Sequence, residues 1–428
     1  MSKLTAIKNF AEVRWIRKFK NANDLQKYQQ KMLKKQLKFI KENSEYYKDI
    51  DVNDMNSIPI IDKKIMMNNF DKLNTVGLKR DKTLEIAIES EHTRDFETKY
   101  NNISVGLSSG TSGHRGLFVI SDKESMEWAG AILAKLLPKN DMLNHKIAFF
   151  LRADNNLYEI INSSVIKFKF FDLLNKFEDN INELEKYNPT ILVAPASVLK
   201  NMAKEQLKDK LHINPKKIIS VAEVLNEADE RFIKKVFKKK IIFQVYQCTE
   251  GFLGYTCECG NLHLNEDIVF IEKEFIDKNR FIPIITDFSR TSQPIVRYRL
   301  NDVLIKSTKV CKCGNPALII SKIEGREDDI FIFDSEKDDV LVYPDFISRC
   351  LVYVDDIEDY RVVQLSKKEI KIYIDNIKTK TKKEIIKEFE RLANTKGFKM
   401  PNIEFVKYEK DGNKKVKRVE RQFIYEKN

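Results

Sequence analysis

Glycine is scarce in this 428-residue chain, 13 in all, and proline is scarcer at 10. A composition so poor in both excludes a collagen-like or low-complexity protein, and no internal repeat is present. No stretch approaches the ~18 uninterrupted apolar residues of a membrane-spanning helix. Met1 to Lys20 mixes Lys, Arg and Glu with apolar residues and has no signal-peptide core. These absences predict a cytoplasmic protein. The chain has six cysteines, and in such a compartment paired cysteines are read as metal ligands before disulfides, while Cys248, with no histidine beside it, reads as packing.

Hydrophobic residues make up 42% of the chain, enough for a large domain and a smaller one. The net charge of +12 arises from 76 basic against 64 acidic residues. Apart from local runs such as Lys234-Lys235 with Lys238 to Lys240, the lysines are interspersed with carboxylates. That pattern describes a solvated surface and argues against a nucleic-acid partner, while favouring anionic small molecules.

Three of the few glycines fall between Ser108 and Gly116, among four hydroxyl side chains. In Ser108-Ser109-Gly110-Thr111-Ser112-Gly113 the backbone N–H groups can turn into one concavity and the hydroxyls can add donors. Such a surface suits a polyphosphate, although a plain surface hairpin has the same composition. The Gly-Lys-Ser/Thr ending of a Walker loop is missing. Apolar residues at Ile103 and Val105, and from Leu117 to Ile120, predict strand–loop–strand.

Asn23 to Asn43 carries Leu25, Tyr28, Met32, Leu33, Leu37 and Ile40 at gaps that form one helical stripe. From Ser121 to Lys240, apolar strands alternate with helices. The strands are Lys146–Leu151, Thr190–Ala194, Lys217–Val221 and Ile241–Val245; Ile181–Tyr187 and Glu227–Phe237 are helical. The alternation predicts an α/β fold with helix-covered parallel sheets. After Phe252 the pattern changes to short β segments at Ile268–Glu272 and Ile282–Thr286. Beyond Gly325 it reads as a small α+β unit: Tyr360–Leu365, Glu369–Ile374, a helix Thr381–Thr395, and Ile403–Tyr408. The expected domains are therefore 1–325 and 326–428.

Further short motifs lie along the chain. They are Tyr246-Gln-Cys-Thr249-Glu250-Gly251, Arg297-Tyr-Arg-Leu-Asn-Asp302, Gly325-Arg326-Glu-Asp328 and Lys415-Val-Lys-Arg418-Val. Together with the glycine-rich loop, and in this order, they resemble the adenylate-forming superfamily. Within it they resemble the phenylacetate–CoA ligase-like branch, which includes a deazaflavin-coenzyme adenylylating synthetase and capsule-locus proteins. Ser44-Glu-Tyr-Tyr47 and Ile58-Pro-Ile-Ile-Asp62-Lys63 resemble that family's N-terminal signatures, so the likeness spans nearly the whole chain.

The resemblance implies roles. Ser108 to Gly113 would hold ATP phosphates, Thr249 would contact a phosphate and Glu250 would hold Mg²⁺, a hard cation that prefers oxygen ligands. Tyr246 would lie against adenine, Asp302 on the ribose, and Arg326 on ribose and phosphate. Asp328 would be a hinge, and Glu223 would lie near the adenine and acyl pockets. Lys415 would supply the catalytic ammonium, with Lys414 and Lys417 as neighbours able to take its place. The acyl pocket would come from Trp128 to Leu151 and Ala194 to Ser197, with an apolar tone suited to a hydrophobic or aromatic acid.

Cys257-Glu-Cys259-Gly and Cys311-Lys-Cys313-Gly are paired thiols of the kind that bind Zn²⁺, although reduced, unbound thiols remain the alternative. By the resemblance Cys257, His263, Cys311 and Cys313 form a structural site, with Cys259 competing as the fourth ligand. The expected activity is ATP- and Mg²⁺-dependent adenylation of a carboxylic acid, followed by acyl transfer to CoA or another thiol. After Ile330 the chain lacks the glycine-containing segment that helps shape the ligases' CoA tunnel, so transfer of AMP to a coenzyme or hydroxyl acceptor is the alternative. A zinc-stapled, nucleic-acid-binding protein is the third reading, and the oligomeric state stays open.

Overall fold

A computed structural model describes residues 3–93, 95, 98–107, 116–151, 162, 165–352, 354, 357, 359–375, 377–408 and 417–425. The chain divides into two compact units: Met1–Leu300 with Lys306–Ser321, and Asn301–Ile305 with Lys322–Asn428. The glycine-rich segment 108–115, Lys414 and Lys415 lie outside the described residues.

The first unit begins with helices α1 (Lys3–Ala11) and α2 (Ala22–Asn43). The apolar stripe of α2 is buried at Leu25, Leu33, Leu37 and Ile40, and Gln29 and Gln36 are buried with it. Strands β1 (Ile103–Leu107) and β2 (Leu117–Ser121) pair antiparallel, as the strand–loop–strand pattern predicts. Ser121 then opens α3 (Asp122–Leu136) with a capping box: its side chain accepts from the Glu124 amide, and Glu124 accepts from the Ser121 amide.

Next come β3 (His145–Leu151), β4 (Ile166–Asp172), α4 (Phe177–Tyr187), β5 (Ile191–Pro195) and α5 (Ala196–Leu207). They are followed by β6 (Lys217–Val221), α6 (Glu227–Val236) and β7 (Phe243–Cys248). The strands run parallel in the order β4-β3-β5-β6-β7. Antiparallel β8 (Gly251–Thr256) and β9 (Leu262–Leu264) continue from β7. Parallel strands buried on both faces explain the continuous apolar runs. Because side chains alternate across a strand, Ala148, Phe150, Leu192, Ala194 and Ile218 enter one core with α4 to α6. Ile147, Ile191, Val193 and Ile219 turn to the other face and pack with residues of α3. Strands β10 (Val269–Phe275) and β11 (Arg280–Asp287) form a long antiparallel pair.

In the second unit β12 (Phe331–Phe333) pairs with β13 (Val340–Val342). A four-stranded sheet contains β14 (Tyr360–Ser366), β15 (Glu369–Ile374), β16 (Asn402–Lys407) and β17 (Val419–Arg421), in the order β16-β15-β14-β17. The charged helix α7 (Thr379–Lys396) buries Ile385, Phe389 and Ala393, spaced by four, and ends at Gly397 with φ +79°. Among the described residues, no helix is long and apolar enough to cross a membrane.

Candidate active site

The turn that leaves β7 places Thr249 and Glu250 just past the end of that strand. Glu250 is buried, and both its carboxylate oxygens have donors: Tyr298 Oη to Oε1 at 3.1 Å and Thr249 Oγ1 to Oε2 at 2.9 Å. Burial pushes the Tyr298 phenol far above its ordinary value, and the Glu250 charge adds to that effect, so the hydroxyl keeps its proton and donates. Beside Glu250 lies a void of about 10 Å³, bounded by Lys63, Gly116, Gln293 and Thr249. The chain approaches closely here, since a Cβ at Gly116 would lie 3.4 Å from Lys63 Cγ.

A much larger cavity, about 340 Å³, opens between the sheet and α3. Its walls are Trp128, Leu133 and Leu136 of α3, Phe149 and Phe168, the inward positions Val193, Ile219 and Val245, and Leu107 and Phe118. Its lining also includes Ala222, Gln247, Cys248 and Thr249. Residues of the Trp128–Leu151 stretch, expected in an acyl pocket, line this cavity; none from Ala194 to Ser197 does, and Ile191 and Val193 line it instead. The reason is the two-residue period: Ala194 points into the opposite core. Cys248 also borders the cavity. Tyr246 is buried and lies outside the cavity lining.

Glu223 follows a tight turn. Its amide donates to Val221 O at 2.7 Å, and Ala222 between them has φ +63°, a conformation that favours glycine. The Glu223 carboxylate accepts from Ser197 N at 2.9 Å and Ser197 Oγ at 3.0 Å. A carboxylate at the first turn of α5 satisfies an otherwise orphan donor and complements the helix dipole.

A buried polar brace holds β2 against the turn that carries Thr249. Arg290 donates to Thr249 O at 3.1 Å, Val119 O at 3.1 Å and Gln293 Oε1 at 3.3 Å. Gln293 in turn accepts from Val119 N at 3.0 Å and donates to Leu117 O at 3.1 Å. Burial alone would raise the Glu124 carboxyl, but Arg290 and the donors of Ser121 and Ser292 hold it below its ordinary value. Gln36 Nε2 of α2 donates to Arg290 O at 2.6 Å. Tyr298, Arg290, Glu124, Gln293 and Lys63 were not assigned to a site from sequence. Their signal was position, since Arg290 to Tyr298 lead into the Arg-Tyr-Arg motif and Lys63 belongs to an N-terminal signature.

The second unit holds the other motif residues. Arg326 Nε lies 3.8 Å from Asp302 Oδ1, Asn301 Nδ2 donates to Asp328 Oδ2 at 2.8 Å, and Lys417 Nζ lies 2.6 Å from Asp329 Oδ1. Lys417 is therefore engaged with a buried carboxylate.

Cys257, His263, Cys311 and Cys313 present ligand atoms that all lie within 4.8 Å of one another, while Cys259 is exposed outside this group. A tetrahedral Zn²⁺ with Zn–S near 2.3 Å sets S···S edges of roughly 3.8 Å. The Cys257–Cys311 sulfurs are 3.6 Å apart, and Cys313 Sγ is 3.5 Å from His263 Nε2. His263 Nδ1 donates to Ala317 O at 3.0 Å, which leaves Nε2 as the electron-pair donor. Each Cys-x-Cys pair ends in a left-handed glycine, Gly260 at φ +82° and Gly314 at φ +78°. The four side chains fit a closed structural site.

No family model matches the chain. It is 23% identical over 356 residues to Protein CapK of Staphylococcus aureus, an overlap of 75% of this chain and 72% of that protein. In structure it is similar to 2-hydroxyisobutyryl-CoA ligase in the postadenylation state in complex with 2-HIB-AMP. The TM-score is 0.68 at 14% identity, over 94% of this chain and 90% of that one. The anthranilate CoA ligase AuaEII in complex with anthranoyl-AMP is similar with a TM-score of 0.52 at 13% identity, over 74% and 66% of the two chains. The chain thus has the mixed α/β fold of the acyl- and aryl-CoA ligases of the adenylate-forming superfamily.

Proposed function

We propose that this protein joins a hydrophobic or aromatic carboxylic acid to AMP, releasing pyrophosphate, and passes the acyl group to CoA or another thiol. One observation carries the reading: an apolar cavity of about 340 Å³ is lined in part by Thr249, next to a buried, doubly hydrogen-bonded Glu250. Such a cavity takes an apolar tail and leaves the carboxylate beside its polar residues.

Glu250 and Thr249 offer the oxygen donors that Mg²⁺ prefers, and the bound ion would neutralise charge on the ATP phosphates. In the second unit Asp302 and Arg326 are the ribose and phosphate contacts of this reading, Asp328 is the hinge, and Lys415 supplies the ammonium that stabilises charge developing on the acid and the α-phosphate. Segment 108–113 cradles the phosphates. Zn²⁺ at Cys257, His263, Cys311 and Cys313 is structural. Carboxylate-dependent ATP–pyrophosphate exchange across a panel of acids tests the proposal, with Glu250→Ala as control. Exchange that survives unchanged in the variant removes Glu250 from the mechanism.

A second outcome of the same adenylation is AMP transfer to a coenzyme or hydroxyl acceptor. It is favoured by the β12–β13 hairpin, whose intervening segment Asp334 to Asp339 contains no glycine. Product mass spectrometry with and without CoA separates the two, and a CoA thioester ends the second reading.

A further inference from the structure

The N-terminal segment carries a concentration of exposed apolar side chains that the proposed reaction does not use. Leu4 is 70% exposed, Ile7 63%, Trp15 57% and Ile16 75%; elsewhere among the described residues, exposed large apolar side chains are scattered. Scattered ones are ordinary for a soluble surface, whereas four within thirteen residues form a patch.

The patch is one face of one element. Leu4, Ile7, Ala11 and Trp15 follow one another at gaps of three, four and four, which aligns them along a helix. After α1 the chain continues as a π-helical turn, Glu12–Ile16, with Arg17 N donating to Glu12 O at 2.7 Å. The wider turn keeps Trp15 in line with the stripe. Folding cannot turn this face inward, because the opposite face is already committed. A Cβ at Gly130 of α3 would lie 2.4 Å from Ala6 O and 2.9 Å from Phe10 N, so the two backbones are in close approach there. Arg14 clamps the same contact by donating to Ala134 O at 2.6 Å, Leu137 O at 3.0 Å and Pro138 O at 2.6 Å.

The same segment carries exposed cations, Lys8, Lys18 and Lys20, and Lys139 is also exposed. Burial and then the positive charges of Lys139, Lys135 and Arg14 hold the Lys18 ammonium below its ordinary value, with Asp267 opposing them. Exposed ammonium groups at Lys8 and Lys18, close in sequence to Ile7 and Ile16, suit a surface that is apolar beneath and anionic on top. Tryptophan favours the headgroup boundary, and lysines near it are drawn to acidic phospholipids.

We propose that the Leu4–Ile7–Trp15–Ile16 face is a peripheral membrane-docking surface for anionic phospholipid. It would lie in the headgroup layer as an interfacial helix, binding weakly, reversibly and in a salt-dependent way. A second copy of the chain fits less well: symmetric packing would set these lysines against their own images. Four side chains also fall short of the roughly 800 Å² per partner of a stable interface.

The test uses the full chain and vesicles of phosphatidylserine with phosphatidylcholine, against phosphatidylcholine alone. Co-sedimentation is expected with the first and not the second, and is expected to disappear at high salt. The double variant Ile7→Ser/Ile16→Ser is expected to bind about tenfold or more weakly, with its melting temperature and pyrophosphate exchange retained. Lys18→Gln tests the charge without touching the apolar face and is expected to weaken binding too. With Trp128→Phe, Trp15 is the sole tryptophan, and its emission is expected to shift to the blue on the acidic vesicles. Absence of vesicle binding overturns the proposal, as does equal binding by the double variant. A wild-type dimer that the double variant dissociates assigns the face to a second copy and overturns it as well.

Discussion

Tyr298 Oη donates to Glu250 Oε1 at 3.1 Å. Thr249 occupies the other oxygen, so the carboxylate is held in one orientation before any ligand arrives. If Glu250 holds Mg²⁺, Tyr298 acts on the metal through it. Partners of this kind cost about 10–100-fold in metal affinity or activity when removed. Tyr298→Phe is therefore expected to raise the Mg²⁺ concentration that half-saturates pyrophosphate exchange by about that factor, and Glu250→Gln to abolish exchange. A Tyr298→Phe enzyme with an unaltered Mg²⁺ titration disproves the linkage.

Asp329 pairs with Lys417, yet burial pushes its carboxyl from 3.8 up to about 6, and Lys417 offsets only part of that. The folded protein thus binds this proton more tightly than the unfolded chain does. The resulting stability is fully present below about pH 4 and is lost as the pH rises through about 6. The wild type should lose stability relative to Asp329→Asn across that window, as read from urea midpoints; a constant difference would contradict it. Lys417→Met breaks the same pair, whereas Lys415→Ala is expected to leave it intact and stop adenylate formation.

Arg290 joins the backbone at Val119 to that at Thr249. Arg290→Met strands both carbonyls and leaves Glu124 buried without its counter-charge. The expected loss is about 3–5 kcal/mol of stability, measured by denaturant unfolding. Arg290→Lys should recover only part, because a point charge cannot reach both carbonyls.

Ala222 stands at φ +63°, a backbone conformation that favours glycine. A side chain in that region costs roughly 1–2 kcal/mol. Ala222→Gly is expected to stabilise the first unit by about 1 kcal/mol, and a destabilised variant would mean that the alanine methyl matters more in the cavity wall than its strain does.

Purified protein is expected to carry one zinc ion per chain by elemental analysis. Cys313→Ala should lose it and melt at a lower temperature, while Cys259→Ala should keep it. Zinc retained by Cys313→Ala, or lost from Cys259→Ala, would reassign the ligand set.

The sequence alone determined what depends on local periodicity. The run Lys146–Leu151 became β3, Thr381–Thr395 became most of α7, and the apolar stripe of α2 is buried much as its spacing predicts. These features were legible because side-chain direction repeats every two residues in a strand and every 3.6 in a helix. The paired thiols pointed to a metal because thiolates suit Zn²⁺, whereas their grouping with His263 came from the family resemblance; the four ligand atoms lie within 4.8 Å of one another.

Only the tertiary structure decided which residue faces which. It showed that Val193, and not Ala194, borders the cavity, that Tyr298 and Arg290 reach the Glu250 turn, and that Lys417 is held by Asp329. It also left Leu4, Ile7, Trp15 and Ile16 uncovered. A linear pattern states how a segment divides its apolar and polar sides. Which side meets a neighbour, a cavity or solvent depends on chain brought from hundreds of residues away, and that information lies in packing rather than in spacing.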